Sequence, residues 1–362
     1  MQDIVEHLRS CVHERKTVVL ATIVATDGSV YRRAGARCLL YPDGRTIGIV
    51  SGGCVEQDLL EHAASVFESG RPKLVEYDFR ADDGQPWGLG LGCNGALTLW
   101  IQRVQPSAGE PLAEKLLDAL EERLTRTVPS RWATVLESSD EAKYPLGTLL
   151  ELPQEIVPND SETCSLQRAE LAGVSVLLFV ENLSPRPRLV VYGAGADSVP
   201  LLHIGKFLGW HVTLVDHRDA WLDREANCLA DERILVRRDG YGTVAPPASA
   251  AAVVMTHHYE SDRQILGHLL PLQMLYIGQL GPRHRTARML SELVSSGQRL
   301  LDDDLEKLHA PIGLDVGAET PEEIALCVSA EILARRNRRD GGPLRHRSGP
   351  WNMCSPILGN RS

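Results

Sequence analysis

The first half of the chain carries two kinds of hydrophobic pattern, one typical of helices and one typical of strands. Residues 1–15 place apolar side chains three or four positions apart, which predicts a short amphipathic helix. Helices are also predicted at 55–68 and 111–127, whereas 153–170 is polar, lacks a period and is expected to form a loop. Strands are predicted where β-branched and apolar residues cluster or alternate, at 17–26, 36–41, 46–50, 73–79, 96–104, 132–137, 148–152 and 171–180.

From residue 188 onward, short apolar strands alternate with helices, a pattern typical of a parallel α/β sheet. Strands are predicted at 189–192, 212–215, 234–236, 251–256 and 274–277, and helices at 198–208, 262–269, 283–295 and 321–337. The last helix begins at a Thr320 cap followed by Pro321. The predicted fold class is therefore α/β, with an N-terminal α+β mixed-sheet domain followed by a C-terminal Rossmann-like domain, a doubly wound parallel sheet.

These patterns divide the chain into four segments. Residues 1–183 are expected to form the N-terminal domain and residues 188–338 the Rossmann-like domain. Between them, the alternating prolines of residues 184–187 favour a stiff, extended linker. Residues 339–362 are basic, contain Gly and Pro, and are expected to form a disordered tail.

Composition and charge narrow the function classes. A formal charge of −10 argues against nucleic-acid binding, which needs a basic face. No apolar run reaches the length of a membrane span, and the first 15 residues lack a signal-peptide core, so we expect a cytoplasmic protein without membrane insertion. The eight cysteines include no C-x-x-C pair, which leaves zinc ribbons and thioredoxin chemistry without support and predicts reduced thiols.

Cys54 is the leading candidate for chemistry, because an apolar strand runs into Gly52-Gly53-Cys54 and a predicted helix follows. A helix start favours an anion, which would stabilise the thiolate and admit an anionic ligand against the glycine backbone. A second loop of this type, Gly92-Cys93, also lies at a strand end. The alternative is that Cys54 packs as a small hydrophobic residue and the glycines serve tight turns. The sequence leaves both open.

The second glycine loop, Gly193-Ala194-Gly195, follows a strand and opens a helix, as a dinucleotide-binding fingerprint requires. Asp216 ends the next strand and would accept hydrogen bonds from a ribose diol. Its carboxylate would repel a 2′-phosphate, so NAD or another nucleotide with an unphosphorylated ribose is the expected ligand. The fold can also persist without any ligand.

His257 and His258 follow a predicted strand end, where α/β sheets place their sites. Paired histidines with nearby acids could bind a metal or transfer protons. The alternative is that this segment only caps the next helix, through Ser261 or Asp262.

Several stretches together resemble the xanthine dehydrogenase accessory factors of the XdhC/CoxI type. The most specific are SGGCVE at 51–56 and PIGLDVGAETPEEIA at 311–325. The resemblance also runs through 28–29, 34–37, 92–95, 191–195, 215–216, 256–258 and 276–281. Family members commonly carry His after the Gly-x-Gly motif, whereas this chain has Ala196, which puts any role of that histidine in doubt.

The resemblance implies a maturation factor for molybdenum hydroxylases of the xanthine or aldehyde dehydrogenase type. Such proteins bind molybdenum cofactor (molybdopterin), protect it while a cysteine desulfurase supplies the terminal sulfido ligand, and help insert it into the apoenzyme. Here Cys54 would be the principal metal or sulfur ligand and Cys93 a second. Arg37 and the backbone of Gly52 and Gly53 would hold the phosphate.

The expected protein is thus a cofactor chaperone and not a turnover enzyme, with a homodimer as the default assembly. One alternative is an NAD-dependent oxidoreductase that uses His257 or His258 as acid–base. Another is a scaffold that docks desulfurase and apoenzyme without touching the cofactor.

Overall fold

The structure is a computed structural model that describes residues 2–53, 55–80, 94–106, 112–125, 129–153, 164–183 and 185–346. The chain divides into two compact units between Pro185 and Arg186, within the segment whose prolines predict a linker. Within the described residues, no helix is both long and apolar enough to span a membrane.

The N-terminal unit begins with a five-stranded antiparallel sheet in the order β3-β2-β1-β5-β4. Its elements are α1 (Gln2–His13), β1 (Val18–Ser29), β2 (Arg37–Leu40), β3 (Thr46–Gly48), α2 (Glu56–Ser69), β4 (Lys73–Asp78), β5 (Asn94–Val104) and α3 (Leu112–Thr125). Side chains along a strand point alternately to the two faces of its sheet. Val19 and Ala21 of β1 therefore pack towards α2, and Val18 and Leu20 pack towards α1 and α3. Both faces of this sheet are buried.

A second antiparallel sheet, in the order β7-β6-β9-β8, completes this unit. Its strands are β6 (Ser130–Ser138), β7 (Leu149–Leu152), β8 (Cys164–Leu171) and β9 (Val174–Leu183). Val24 and Trp100 of the first sheet pack against Leu136 and Phe179 of the second. The prediction of a loop at 153–170 is wrong from Cys164 onward, because the polar residues there belong to a strand at the edge of the sheet.

The C-terminal unit holds a six-stranded parallel sheet in the order β12-β11-β10-β13-β14-β15, which confirms the predicted Rossmann-like fold. Its elements are β10 (Arg188–Tyr192), α4 (Val199–Phe207), β11 (His211–Asp216), α5 (Asp219–Leu222), β12 (Glu232–Leu235), β13 (Ala251–Val254), α6 (Tyr259–Leu269), β14 (Tyr276–Gln279), α7 (Arg283–Ser295), α8 (Asp302–Glu306), β15 (Leu308–His309) and α9 (Pro321–Arg336). The strand order reverses between β10 and β13, and the carboxyl ends of these two strands open the crevice where such folds bind ligands.

Helices cover both faces of the parallel sheet. Leu189 and Val191 pack with residues of α4 and α9 on one face, whereas Val190 and Tyr192 pack with α6 on the other. The start of α9 confirms the predicted cap, since Thr320 Oγ1 accepts a hydrogen bond from the Glu323 amide and Pro321 is the first helical residue.

Candidate functional site

The loop between β3 and α2 carries the first predicted site. Gly53 has a φ of +107°, and a Cβ placed there would meet no described atom within 4 Å, so none of the described residues covers its backbone. The position of a Cβ at Gly52 lies 3.7 Å from the exposed ring of Tyr31. Cys54 itself lies outside the described residues. The described residues therefore leave the approach open at Gly53, whereas the Tyr31 ring lies beside Gly52.

The amides on either side of Cys54 already have partners within the loop. Ser51 Oγ donates to the Glu56 carboxylate at 2.7 and 2.8 Å, and accepts from the Gly53 amide at 3.2 Å. The Val55 amide donates to Glu56 Oε2 at 3.2 Å. The start of α2 thus holds the protein's own anion. The expected stabilisation of a thiolate or phosphate by these amides is opposed by the negative charge of Glu56.

Arg37 is buried, and the predicted phosphate contact does not match its surroundings. Its Nη1 and Nη2 donate to the two carboxylate oxygens of Glu181 at 3.1 and 2.6 Å, and Nη1 also donates to the Gly35 carbonyl. Both charged side chains are only 5% exposed. The guanidinium therefore ties β2 to β9 and has no face open to a ligand.

The described cysteines differ sharply in accessibility. Cys11, Cys38 and Cys327 are buried, whereas Cys228 is exposed. Burial, together with the charge of Glu56, raises the pKa of the Cys38 thiol to about 11, so this thiol stays protonated. The predicted loop Gly92-Cys93 lies outside the described residues. In the part of the chain that the structure describes, no three His, Cys, Asp or Glu side chains are grouped as a metal site would need.

The glycine loop of the C-terminal unit lies at the crevice between β10 and β13. Gly193 has a φ of +119°, and a Cβ there would lie 2.5 Å from the carbonyl oxygen of Met255. Only glycine fits at position 193, because the segments that follow β10 and β13 approach each other closely there. A Cβ at Gly195 would lie 2.4 Å from Asp197 Oδ1, so the side chain of Asp197 folds back over the loop.

Asp216 ends β11 as predicted, but its carboxylate does not face solvent. The residue is 0% exposed and accepts hydrogen bonds from the Ala194 amide at 2.7 Å and from the Arg218 amide, Nε and Nη2 at 2.7–2.8 Å. Burial alone would raise the pKa of Asp216, but these donors outweigh it and hold the pKa below its ordinary value. A ribose diol would find no free acceptor here, which corrects the expected contact.

The two predicted histidines have different surroundings. His258 caps α6, because its Nδ1 accepts a hydrogen bond from the Ser261 amide at 3.3 Å. His257 has a φ of +60°, and its Nε2 lies 2.6 Å from Asp197 Oδ2. This hydrogen bond to Asp197 raises the pKa of His257. His257 and Asp197 therefore form an ion pair across the crevice, between the segments that follow β13 and β10.

Two further polar residues lie at this edge of the sheet; the sequence indicated Asp262 only as a possible helix cap and gave Gln279 no role. Asp262 is fully buried and accepts hydrogen bonds from Thr256 Oγ1 at 2.6 Å and from Arg285 Nη2 at 2.7 Å. Gln279 Nε2 donates to the same carboxylate at 3.3 Å. The network joins the ends of β13 and β14 to the first turns of α6 and α7. The strand-end position of Thr256 and Gln279 was the available signal.

Family models and related proteins all indicate the same family for this chain. The family described as the XdhC Rossmann domain matches residues 189–332, and the XdhC and CoxI family matches residues 11–78. A relative from Bacillus subtilis (strain 168), whose name describes a probable xanthine dehydrogenase subunit, is 31% identical over 91% of this chain and 97% of its own length. The Escherichia coli (strain K12) protein named Molybdenum cofactor insertion chaperone PaoD is 23% identical over 89% of this chain and 84% of its own.

A solved structure supports the same assignment. The crystal structure of a protein from Bacillus halodurans, described as a xanthine dehydrogenase, matches with a TM-score of 0.71 and 27% identity, covering 94% of this chain and 97% of that one. The sequence similarity and the fold thus extend over nearly the whole chain. The chain belongs to the XdhC and CoxI family.

Proposed function

We propose that this protein binds molybdenum cofactor and delivers it to the apoenzyme of a molybdenum hydroxylase of the xanthine dehydrogenase type. The observation that carries the proposal is the similarity, over most of both chains, to the protein named Molybdenum cofactor insertion chaperone PaoD. The Bacillus subtilis relative, with xanthine dehydrogenase in its name, points to the class of client enzyme.

The cargo would bind at the loop between β3 and α2. Molybdenum cofactor carries dithiolene sulfurs, a flat pterin and a phosphate. A cysteine thiol is a soft ligand suited to molybdenum or its sulfur, which makes Cys54 the proposed principal ligand and Cys93 the proposed second. The backbone of Gly53, which no described residue covers, lets a bulky ligand approach the loop closely, beside the Tyr31 ring at Gly52.

The negative charge of Glu56 affects the orientation in which the cofactor would bind. Its carboxylate occupies the start of α2 through Ser51 and the Val55 amide. A phosphate placed there would be repelled, so the proposal puts the phosphate away from the helix start and the sulfur end of the cofactor towards Cys54. Arg37 is not part of the proposed phosphate contact, because it is buried against Glu181.

Retention of molybdenum tests this proposal. Purified protein is mixed under anaerobic conditions with cofactor released from a molybdenum enzyme, then desalted, and its molybdenum is measured by mass spectrometry. Wild-type protein should retain molybdenum and Cys54→Ala should lose most of it. The matched control is Cys228→Ala, which removes an exposed thiol from the other unit and should change nothing. Equal retention by the two variants, or no retention by wild type, would contradict the proposal.

We also propose that the cofactor is sulfurated while it is bound to this protein. A cysteine desulfurase would add the terminal sulfido ligand before the cofactor is transferred to the apoenzyme. Sulfur released by cyanide reports that ligand. Incubation of the loaded protein with a desulfurase and L-cysteine should raise cyanide-labile sulfur and then increase activity of the apoenzyme after transfer. If apoenzyme is activated equally without the desulfurase, sulfuration on this protein is wrong and delivery alone remains.

A further inference from the structure

In the C-terminal unit, the side chains at the carboxyl end of β11 are arranged differently from the ribose contact that the sequence predicts. In Rossmann folds with this strand order, the adenosine ribose lies at the end of the second strand, here β11. A free carboxylate there binds an unphosphorylated ribose, whereas an arginine accommodates a 2′-phosphate. Which of the two side chains faces solvent therefore selects the nucleotide.

In this protein the arginine covers the carboxylate. Asp216 is fully buried, while the side chain of Arg218 is 33% exposed. Arg218 uses Nε and Nη2 to hold Asp216, which leaves Nη1 at the far corner of the planar guanidinium. The end of β11 thus exposes a guanidinium, paired with a buried carboxylate, where the sequence predicts a free carboxylate.

Neighbouring side chains extend this cationic surface. The guanidinium carbon of Arg218 lies 4.1 Å from the centroid of the Trp221 ring, and that of Arg224 lies 3.7 Å from it. Stacking on the indole orients both guanidinium planes, and among the described contacts only that of Arg218 is also paired with the Asp216 carboxylate. Arg238 lies at the same strand end, where it donates to His217 Nε2 at 3.3 Å. Arg218 thus pairs with the buried Asp216 carboxylate, while Arg224 and Arg238 contact the neighbouring Trp221 and His217 side chains.

Acidic residues are also present, and two of them, Asp223 and Asp197, are paired. Asp223, which follows α5, pairs with Arg233 at 3.4 Å. Asp219 stands in the first turn of α5. In the glycine loop, the carboxylate of Asp197 is paired with His257 at 2.6 Å, which offsets its charge towards a pyrophosphate.

We propose that the C-terminal unit binds a nucleotide of the NADP(H) type, whose adenosine 2′-phosphate contacts Arg218 and Arg224. This reverses the preference for an unphosphorylated ribose that the sequence predicts from Asp216. The proposal concerns a site in the other unit from the cofactor loop and does not depend on molybdenum.

Calorimetric titration of the full chain with NADPH and with NADH tests the proposal. NADPH should bind at least about tenfold more tightly, since a charge-assisted contact to one phosphate is worth about that factor. Competition with 2′-AMP should weaken NADPH binding, whereas 5′-AMP at the same concentration should not. Equal affinity for the two dinucleotides, or no binding of either, would overturn the proposal.

Two variants and one control locate the effect. Arg218→Gln should abolish the preference for NADPH, because it removes the cation and exposes Asp216. Arg224→Gln should weaken NADPH binding several-fold and leave NADH unchanged. The control is Arg288→Gln, an exposed arginine on α7 paired with Glu292, which should bind as wild type.

Arg224→Gln keeps the test decisive if Arg218→Gln does not fold. Arg218 holds a buried carboxylate, so Arg218→Gln is first checked by circular dichroism. If it does not fold, the result for Arg224→Gln alone decides: an unchanged ratio of NADPH to NADH affinity there would overturn the assignment of the 2′-phosphate to these arginines.

Discussion

Two glycine loops in this protein look alike in sequence and differ in what their folds do with them. The loop before α2 and the loop before α4 both run from a strand through glycines into a helix start, the setting that favours a bound anion. In both, a carboxylate of the protein sits at that start: Glu56 in the first loop and Asp197 in the second.

The difference lies in the partners of these two carboxylates. Glu56 is held by the hydroxyl of Ser51 and by a backbone amide, so the described part of the loop keeps a negative charge. Asp197 is paired with His257, whose raised pKa favours the imidazolium and a neutral pair. A glycine loop at a helix start therefore shows where a ligand can approach. The nearby side chains decide which ligand charge the loop accepts. For the two proposed ligands, this contrast places the phosphate of the first away from the helix start and the phosphates of the second next to it.

A buried and an exposed arginine should contribute differently to the free energy of unfolding. The largest expected effect is at Arg37, which is buried. Replacing it with Ala removes the guanidinium that neutralises the buried Glu181 carboxylate, which should lower the free energy of unfolding by about 3–5 kcal/mol. Urea denaturation measures this. Arg224→Ala, at the exposed arginine cluster, is the control and should lower it by less than about 1 kcal/mol. Similar losses in the two variants would contradict the structural role of Arg37.

The two loop glycines should also respond differently. Gly193→Ala forces a side chain against the Met255 carbonyl at a φ of +119° and should lower the free energy of unfolding by about 3 kcal/mol. Gly53→Ala meets no atom of the described residues within 4 Å, so the expected loss is that of backbone strain, about 1 kcal/mol. Thermal unfolding of both variants checks this order. A larger loss for Gly53→Ala would mean that its loop is packed against something, contrary to the open face described above.

Much of this architecture follows from local sequence patterns. The alternation of strands and helices after residue 188 predicts the parallel sheet, and the Thr320 cap with Pro321 predicts the start of α9. Each of these features depends on residues close together in the chain. The strand β8 escaped prediction because it lies at the edge of its sheet, where half-exposed polar residues such as Gln167 and Arg168 are tolerated.

The charges at the candidate sites could not be predicted in this way. Arg37 and Glu181 are 144 residues apart, and Asp197 and His257 are 60 apart, so only the folded topology brings each pair together. Asp216 shows the same limit over a shorter distance. Its position at a strand end was predicted, but its coverage by Arg218 depends on a side-chain conformation that the sequence pattern does not specify.

The charge of Glu56 should affect the reactivity of the neighbouring thiol. Glu56→Gln keeps a hydrogen-bond acceptor for Ser51 and removes the negative charge two residues from Cys54. A unit charge a few ångströms away in water is worth about 1 kcal/mol, so alkylation of Cys54 by iodoacetamide near neutral pH should accelerate about fivefold. Peptide mass spectrometry follows the rate, with Cys228 in the same sample as the internal reference. An unchanged ratio of the two rates would contradict the electrostatic role of Glu56.

The smallest expected effect is the pH dependence of the pair at the second loop. The hydrogen bond to Asp197 raises the pKa of His257 in the folded protein above its ordinary value of about 6.5. Protonation therefore favours the fold: the contribution is complete below that ordinary value and is lost as the pH rises through the higher pKa of the folded state. The side chain of His257 is 60% exposed, so water screens the pair and its contribution to the free energy of unfolding should stay below about 1 kcal/mol.

An NMR titration of His257 checks this pair. The pKa of His257 should fall in Asp197→Asn and stay unchanged in the control Asp223→Asn. A His257 pKa that is the same in wild type and Asp197→Asn would mean that the crevice is not neutralised by this pair, and a pyrophosphate approaching the second loop would then meet the uncompensated charge that Glu56 imposes on the first.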